Sequence, residues 1–260
     1  MFILDMLPMW GVFLVTMALV LIAAEIGYRI GIWLQRRDAS TGTTPITGAM
    51  VGGLLGLMAF LLAFSIGIVI NQHNGRREMV VTEANAVGTA YLRVGFLDDP
   101  DRTIARDLLR EYVEIRLVAA DDSMQLDSMV TRSEEIHGEL WMIMEDTVAL
   151  GEDSDIMSLL IESINEVIDV HSVRLVFSQL RLPRLLGIVL YAATILSFLL
   201  VGVANSADGK RDPLAILLFA VAFVAVLMVL IDLDRPQEGL LNVSQTAMSD
   251  LLRQMKSAAP

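Results

Sequence analysis

Side chains able to do chemistry are few in this 260-residue chain, and their spacing argues against catalysis. The three histidines, His73, His137 and His171, stand far apart. None has the partner of a His-Glu-x-x-His zinc motif. Asp169 and His171 are two apart, which puts them on different faces of a helix. No Ser occupies a Gly-x-Ser-x-Gly elbow, and Gly52-Gly53 falls inside an apolar run rather than in a phosphate-cradling loop. Cysteine is absent, which excludes thiol catalysis, disulfides and thiolate-held metals. A lone histidine on a helix reads as a solvated or hydrogen-bonded surface residue. The expectation is a protein without enzymatic activity, metal or cofactor.

The remaining charged groups of interest lie at the edges of apolar segments. Glu25 and Arg29 are four apart and share a helical face, so they are expected to neutralise each other as a buried pair near a membrane edge. Asp232 and Asp234, followed by Arg235-Pro236, end the last apolar run. They could attract cations or pair with Arg181, Arg184 or Arg235. The acidic clusters Asp98-Asp-Pro-Asp101 and Gly151-Glu-Asp-Ser-Asp155 read as helix starts stabilised by carboxylates rather than as cation sites.

The elements that must position these residues follow from composition. Hydrophobic residues make up 55% of the chain and charged ones 19%, with a net charge of −12. The mean hydropathy is +0.60. Such a chain is too apolar for disorder and too acidic for a nucleic-acid binder, so it reads as an integral membrane protein whose first partner is the lipid bilayer. Four apolar runs are long enough for the roughly 20 helical residues that a bilayer requires. They place spans at about 7–34, 48–70, 185–203 and 214–231, so that residues 1–70 and 185–231 form the membrane part. The first lacks a basic n-region and reads as a true span, not a signal peptide. Residues 71–184 read as a helical soluble domain, from apolar positions such as Leu108 and Tyr112, Ile136 and Leu140, and Ile164 and Val167. That segment has eleven arginines, no lysine and twenty-two Asp and Glu, nearly all of the net charge. Residues 232–260 read as a tail with a short amphipathic helix bearing Met248, Leu251, Leu252 and Met255. The fold class is all-α. Four spans put the N-terminus, the domain and the tail on one side of the membrane. Charge counting near the spans is close to balanced and does not orient them.

The second span carries two patterns. Gly48-x-x-x-Gly52-x-x-x-Gly56 allows close approach of another helix, either within the chain or from another subunit. Phe60, Phe64, Gly67, Asn71, Asn74, Glu78, Thr82, Asn85 and Thr89 form one stripe if the helix runs unbroken past Gly75. It begins aromatic and turns polar. A ring of such helices would give a pore with a hydrophobic constriction at Phe60 and Phe64, and a polar lining at Gly67, Asn71, Asn74, Glu78, Thr82 and Asn85. The bland alternative is an amphipathic helix leaving the membrane.

Three motifs resemble those of the bestrophin-like domain family. Arg76-Arg-Glu-Met-Val-Val-Thr-Glu-Ala-Asn-Ala-Val-Gly-Thr-Ala-Tyr-Leu-Arg93 contains Glu83, Asn85 and Tyr91. Asn165-Glu-Val-Ile-Asp-Val-His-Ser-Val-Arg174 contains Glu166, Asp169 and His171. Asp232-Leu-Asp-Arg-Pro236, continuing to Gly239 and then Val243-Ser-Gln245, closes the series with Asp234 and Arg235. The resemblance runs from Glu25 to Leu251. It implies a similarity to pentameric four-span ion channels whose second span lines the pore, and hence a homo-oligomeric channel. It also implies a cytoplasmic domain, here in a bacterial inner membrane. Bestrophins have a longer helical region after the fourth span, and their calcium-binding acidic cluster does not map onto this chain. The acidic domain points to cations as the permeant ion. The alternatives are a non-conducting sensor or scaffold whose helical domain binds a partner, and a stator-like proton channel. The latter is disfavoured because spans two to four contain no carboxylate.

Overall fold

The computed structural model describes residues 7–38, 48–121, 126–152, 154–207, 212–235 and 241–257. These are helical almost throughout, with no strand among them. The helices are α1 (Met9–Asp38), α2 (Gly48–Arg93), α3 (Asp101–Asp121), α4 (Leu126–Ala149), α5 (Asp155–Gln179), α6 (Arg184–Ala207), α7 (Pro213–Asp234) and α8 (Thr246–Ser257), with a short 3-10 turn at Val94–Phe96. Segments of α1, α2, α6 and α7 are long and apolar enough to cross a membrane, so the chain is a four-span helical membrane protein. α2 is one unbroken helix of 46 residues. At 1.5 Å per residue it is about 69 Å long, more than twice a bilayer core of roughly 30 Å. Gly75 does not break it. That glycine faces Phe177, whose Cε1 would lie 2.7 Å from an added Cβ.

Local chemistry sets the helix ends. Ser154 caps α5, its hydroxyl accepting the Met157 N–H at 3.3 Å. Asp99 accepts from the Thr103 hydroxyl at 2.9 Å and from Arg102 at the start of α3, and these bonds hold its carboxyl below the usual range. Asp212 caps α7 by accepting the Ala215 N–H at 3.1 Å, with Pro213 in the first turn where its missing N–H costs nothing. α5 stops at Gln179, where Leu180 becomes extended. Pro183 follows and disfavours helix at Leu182. The buried Arg76 donates to the Phe177 carbonyl at 3.3 Å and to the Leu180 carbonyl, satisfying acceptors that the end of α5 leaves open.

Packing divides the chain into two units, and α2 contributes to both. One comprises Met1–Asn71 and Arg181–Leu241. Its core has two parts. Val20, Ala23 and Ala24 of α1 pack with Phe198 of α6 and Ala220 and Val224 of α7. Met58, Leu62 and Val69 of α2 pack with Leu190 of α6 and Leu227, Leu230 and Leu233 of α7. Phe198, Phe219 and Phe223 cluster in tilted and edge-to-face pairs with 5.3–6.4 Å between centroids.

The other unit comprises Gln72–Leu180 and Asn242–Pro260. Its core joins Val80, Val87, Ala90 and Val94 to Leu109, Tyr112 and Val113 of α3, Ile136, Leu140 and Met144 of α4, and Leu160, Ile164 and Val167 of α5. Arg132 of α4 ties α3 to α4 through Glu111 at 2.7 Å. The tail helix α8 belongs to this core, with Met248 and Met255 fully buried. Lys256 also pairs with Glu114 at 2.8 Å.

Candidate functional site

The long helix α2 has two faces with opposite fates. In its apolar half, Met58, Leu62, Ser65 and Val69 are buried. The other face touches little of its own chain. Phe60 and Phe64 are 66% and 56% exposed. Gly67, Asn71, Asn74, Glu78, Asn85 and Thr89 are exposed as well, and Thr82 is half-buried, its hydroxyl bonded back to the Glu78 carbonyl at 3.0 Å. An added Cβ at Gly48, Gly52 or Gly56 would meet nothing within 4 Å. These three glycines therefore do not pack against another described helix of the chain.

The close intrachain approach occurs elsewhere. A Cβ on Gly27 or Gly31 of α1 would run into the Leu199 carbonyl or the Ser206 hydroxyl of α6. One on Gly202 of α6 would strike the Ala24 carbonyl of α1. Sequence reasoning passed over Gly27-x-x-x-Gly31, although that small-residue spacing in the first span is the signal for such packing. The Glu25–Arg29 pair forms at 2.9 Å, but with the arginine 77% exposed it lies on the surface of the chain rather than buried.

Among the described residues, the most charged interior lies in the second unit. Glu83 of α2 is wholly buried. It accepts from Arg174 of α5 and from the Tyr112 hydroxyl of α3, and pairs with Arg116 at 3.1 Å. Arg174 also donates to the Gln245 side-chain amide oxygen Oε1 at 3.0 Å, tying the segment before α8 to the cluster. The His171 Nδ1 lies 3.0 Å from the Tyr112 hydroxyl. Because Tyr112 gives its proton to Glu83, His171 donates from Nδ1 and leaves Nε2 as the bare nitrogen. His137 of α4 stands edge-on to His171, with 4.9 Å between centroids, and 5.1 Å from the Tyr112 ring. Burial and the Arg116 charge lower the pKa of His137 to about 4 and of His171 to about 3. Burial lowers Arg174 to about 10 and pushes Tyr112 up.

Two of the three histidines are thus neutral, buried and in mutual contact, a correction to the reading of isolated surface groups. Glu83, His171 and Arg174 were singled out as motif residues. From sequence alone Tyr112 reads as apolar core, Arg116 shows no role and His137 reads as surface. Their i, i+4 spacing on α3 places Tyr112 and Arg116 on one face, the signal that could have paired them. Among the described residues no three His, Asp or Glu groups are arranged to hold a metal.

The other motif residues divide between packing and surface. Tyr91 is buried, donates to the Met255 carbonyl at 3.4 Å and lies under Arg106. Asn165 donates to Asp169 at 3.2 Å on the exposed side of α5. Glu166 and Glu162 border a groove of about 390 Å³ with Thr82, Asn85, Thr89 and Arg93. Asp234 accepts the Leu182 N–H at 2.6 Å, and Asp232 the Leu241 N–H at 3.0 Å. Arg235 is buried and donates to the Leu7 carbonyl at 2.9 Å. These groups fasten the segments flanking α1, α6 and α8 to the end of α7. Pro236 and Gly239 lie outside the described residues.

Comparison with known proteins agrees with this architecture. The model of the bestrophin-like domain matches residues 14–248. Comparison with curated protein sequences yields no match. Among solved structures, a bacterial bestrophin homologue from Klebsiella pneumoniae, phased on zinc, superposes with a TM-score of 0.67 at 16% identity, over 93% of this chain and 98% of that one. A single-substitution variant of a bestrophin homologue from that organism gives 0.70 at 14% identity, over 93% and 98%. A crystal structure described as a membrane protein variant gives 0.71 at 14% identity, over 93% and 97%. With the family model covering most of its length, this chain belongs to the bestrophin-like domain family.

Proposed function

We propose that this protein is a homo-oligomeric ion channel whose α2 helices line the pore. The observation that carries the reading is the exposed stripe on α2. Two outward phenylalanines are followed on the same face by Gly67, Asn71, Asn74 and Glu78. Among the described residues of one chain no helix covers this face, while the opposite face is packed. A ring of α2 helices would enclose it. Phe60 and Phe64 would then form a constriction that gates by dewetting, and the asparagines would give the ion polar partners beyond it. Gly48, Gly52 and Gly56 would let neighbouring subunits approach closely. A pentamer is the number that the family's resemblance to bestrophins supplies.

The acidic unit supports cation permeation. A negative surface concentrates cations within a Debye length of about 8 Å and repels anions. In this reading the protein sits in the bacterial inner membrane with residues 71–184 in the cytoplasm, and carries no catalytic activity.

The test is current across a planar bilayer holding the purified protein in asymmetric KCl. Discrete currents that reverse near the potassium equilibrium potential are expected. Reversal at the chloride potential would overturn the cation assignment. Silence from a folded oligomer across pH and added calcium would overturn conduction and favour a scaffold whose helical unit binds a partner.

A further inference from the structure

The outward face of α1 has features that ion conduction does not use. Its buried face carries Val12, Thr16, Val20, Ala23 and Gly27. Its exposed face is apolar from Trp10 through Leu14, Leu19, Ile22 and Ile26 to Trp33. The two tryptophans are 70% and 57% exposed. They are 23 residues apart, about 35 Å along a helix, which matches a hydrocarbon core of roughly 30 Å with an interfacial ring at each end.

The two ends differ in charge. Beside Trp10 the described part of α1 has no charged residue for more than three turns. Around Trp33 stand Arg29, Arg36 and Arg37, all exposed and within about a third of the helix circumference, with the Glu25 carboxylate paired to Arg29. The Arg37 guanidinium lies over the Trp33 ring, 5.4 Å from its centroid. Residues 25–47 hold these three arginines against Glu25 and Asp38, a positive segment in a chain of net charge −12. The helix dipole accounts for cations in the last turn. It does not account for an outward tryptophan beneath one of them, or for Arg29 two turns earlier on the same face.

We propose that the Trp33 end of α1 binds the phosphodiester headgroup of an anionic phospholipid. The acyl chains would lie along the Ile22–Ile26 stripe, and Trp33 would sit at the level of the ester groups. Arg36 and Arg37 would donate to the phosphate oxygens. Guanidinium forks suit that geometry, and clustered arginines disfavour a lipid that brings its own ammonium group. The inference rests on the membrane-spanning architecture and not on conduction.

The test uses the full-length chain with Trp10→Phe and Trp141→Phe, so that Trp33 is the sole tryptophan and can be excited selectively. It is reconstituted in nanodiscs containing a low mole fraction of dibrominated phosphatidylglycerol or dibrominated phosphatidylcholine. Trp33 quenching is expected to report a preference of about fivefold for the anionic lipid, the order expected when one guanidinium meets the added charge. Arg36→Gln with Arg37→Gln should abolish that preference and leave quenching equal for both lipids. Equal quenching before substitution would overturn the proposal. Absence of quenching by either lipid would also overturn it, because a second copy of the chain would then cover this face. Native mass spectrometry of the unsubstituted protein gives an independent check. Retained phosphatidylglycerol in excess of phosphatidylcholine supports the site, and equal retention opposes it.

Discussion

Glu83 is a single buried carboxylate serving two guanidinium groups and a phenol from two neighbouring helices. Replacing it by Gln would leave Arg116 and Arg174 buried with no anion. Breaking a buried pair in this way costs about 3–5 kcal/mol, so Glu83→Gln should sharply lower the unfolding temperature of the helical unit followed by circular dichroism. An unchanged midpoint would show that the arginines find water instead. The neighbouring histidines make stability depend on pH. Their folded pKa values, about 4 for His137 and about 3 for His171, lie below the unfolded value of 6.5. The unfolded chain therefore binds more protons in between. Their stabilising contribution is complete above about pH 6.5 and is lost as pH falls toward 4 and 3, by at most about 1.4 kcal/mol per pH unit for each histidine. Unfolding midpoints should fall between about pH 6.5 and pH 5, above the range where ordinary carboxylates titrate. The double variant His137→Gln, His171→Gln should flatten that slope. A slope of the same size in the double variant would place the effect on other groups.

At the scale of elements, two sets of glycines separate folding from association. Gly27 and Gly31 of α1 and Gly202 of α6 are filled spaces, since any Cβ there meets backbone or the Ser206 hydroxyl. Gly27→Leu should cost more than about 3 kcal/mol, because backbone cannot yield as a side chain does, and folded protein should be lost from detergent extracts. Gly52 of α2 faces open space. Gly52→Leu should preserve helix content and unfolding midpoint while reducing the mass measured by light scattering in detergent. If that mass is unchanged, self-association does not run through this face. The tail helix shows the same dependence on context. An amphipathic pattern alone does not choose between a domain, a neighbouring subunit and a membrane surface, and Met248 and Met255 are buried in the helical unit of the chain itself.

For the molecule as a whole, the stripe of α2 and the acidic charge are the features that a channel would use together. Removing the rings at Phe60 and Phe64 widens and wets a hydrophobic neck. In the proposed channel, Phe60→Ala and Phe64→Ala should each raise single-channel conductance several-fold, while the reversal potential, which there would follow the acidic surface, should stay near its original value. Conductance unchanged in both variants would reduce the phenylalanines to lipid-facing packing.

Much of this was legible without coordinates. Runs such as Gly48–Ile70 and Leu214–Ile231 are spans because roughly 20 apolar residues cannot be hidden otherwise, so the four-span, all-α class follows from hydropathy alone. Helix starts were readable from Asp98-Asp-Pro-Asp101 and Gly151-Glu-Asp-Ser-Asp155, since capping is a local interaction. The continuous α2 stripe follows from the period of 3.6 once Gly75 is accepted inside the helix. What sequence could not determine depends on which faces meet. His137, His171, Tyr112 and Glu83 lie on four different helices and converge only when those helices pack. Gly27 and Gly52 sit in equivalent small-residue patterns. Tertiary packing alone decides that the first is occupied by α6 and the second left open, because such a pattern specifies how close a helix can come and not which helix comes.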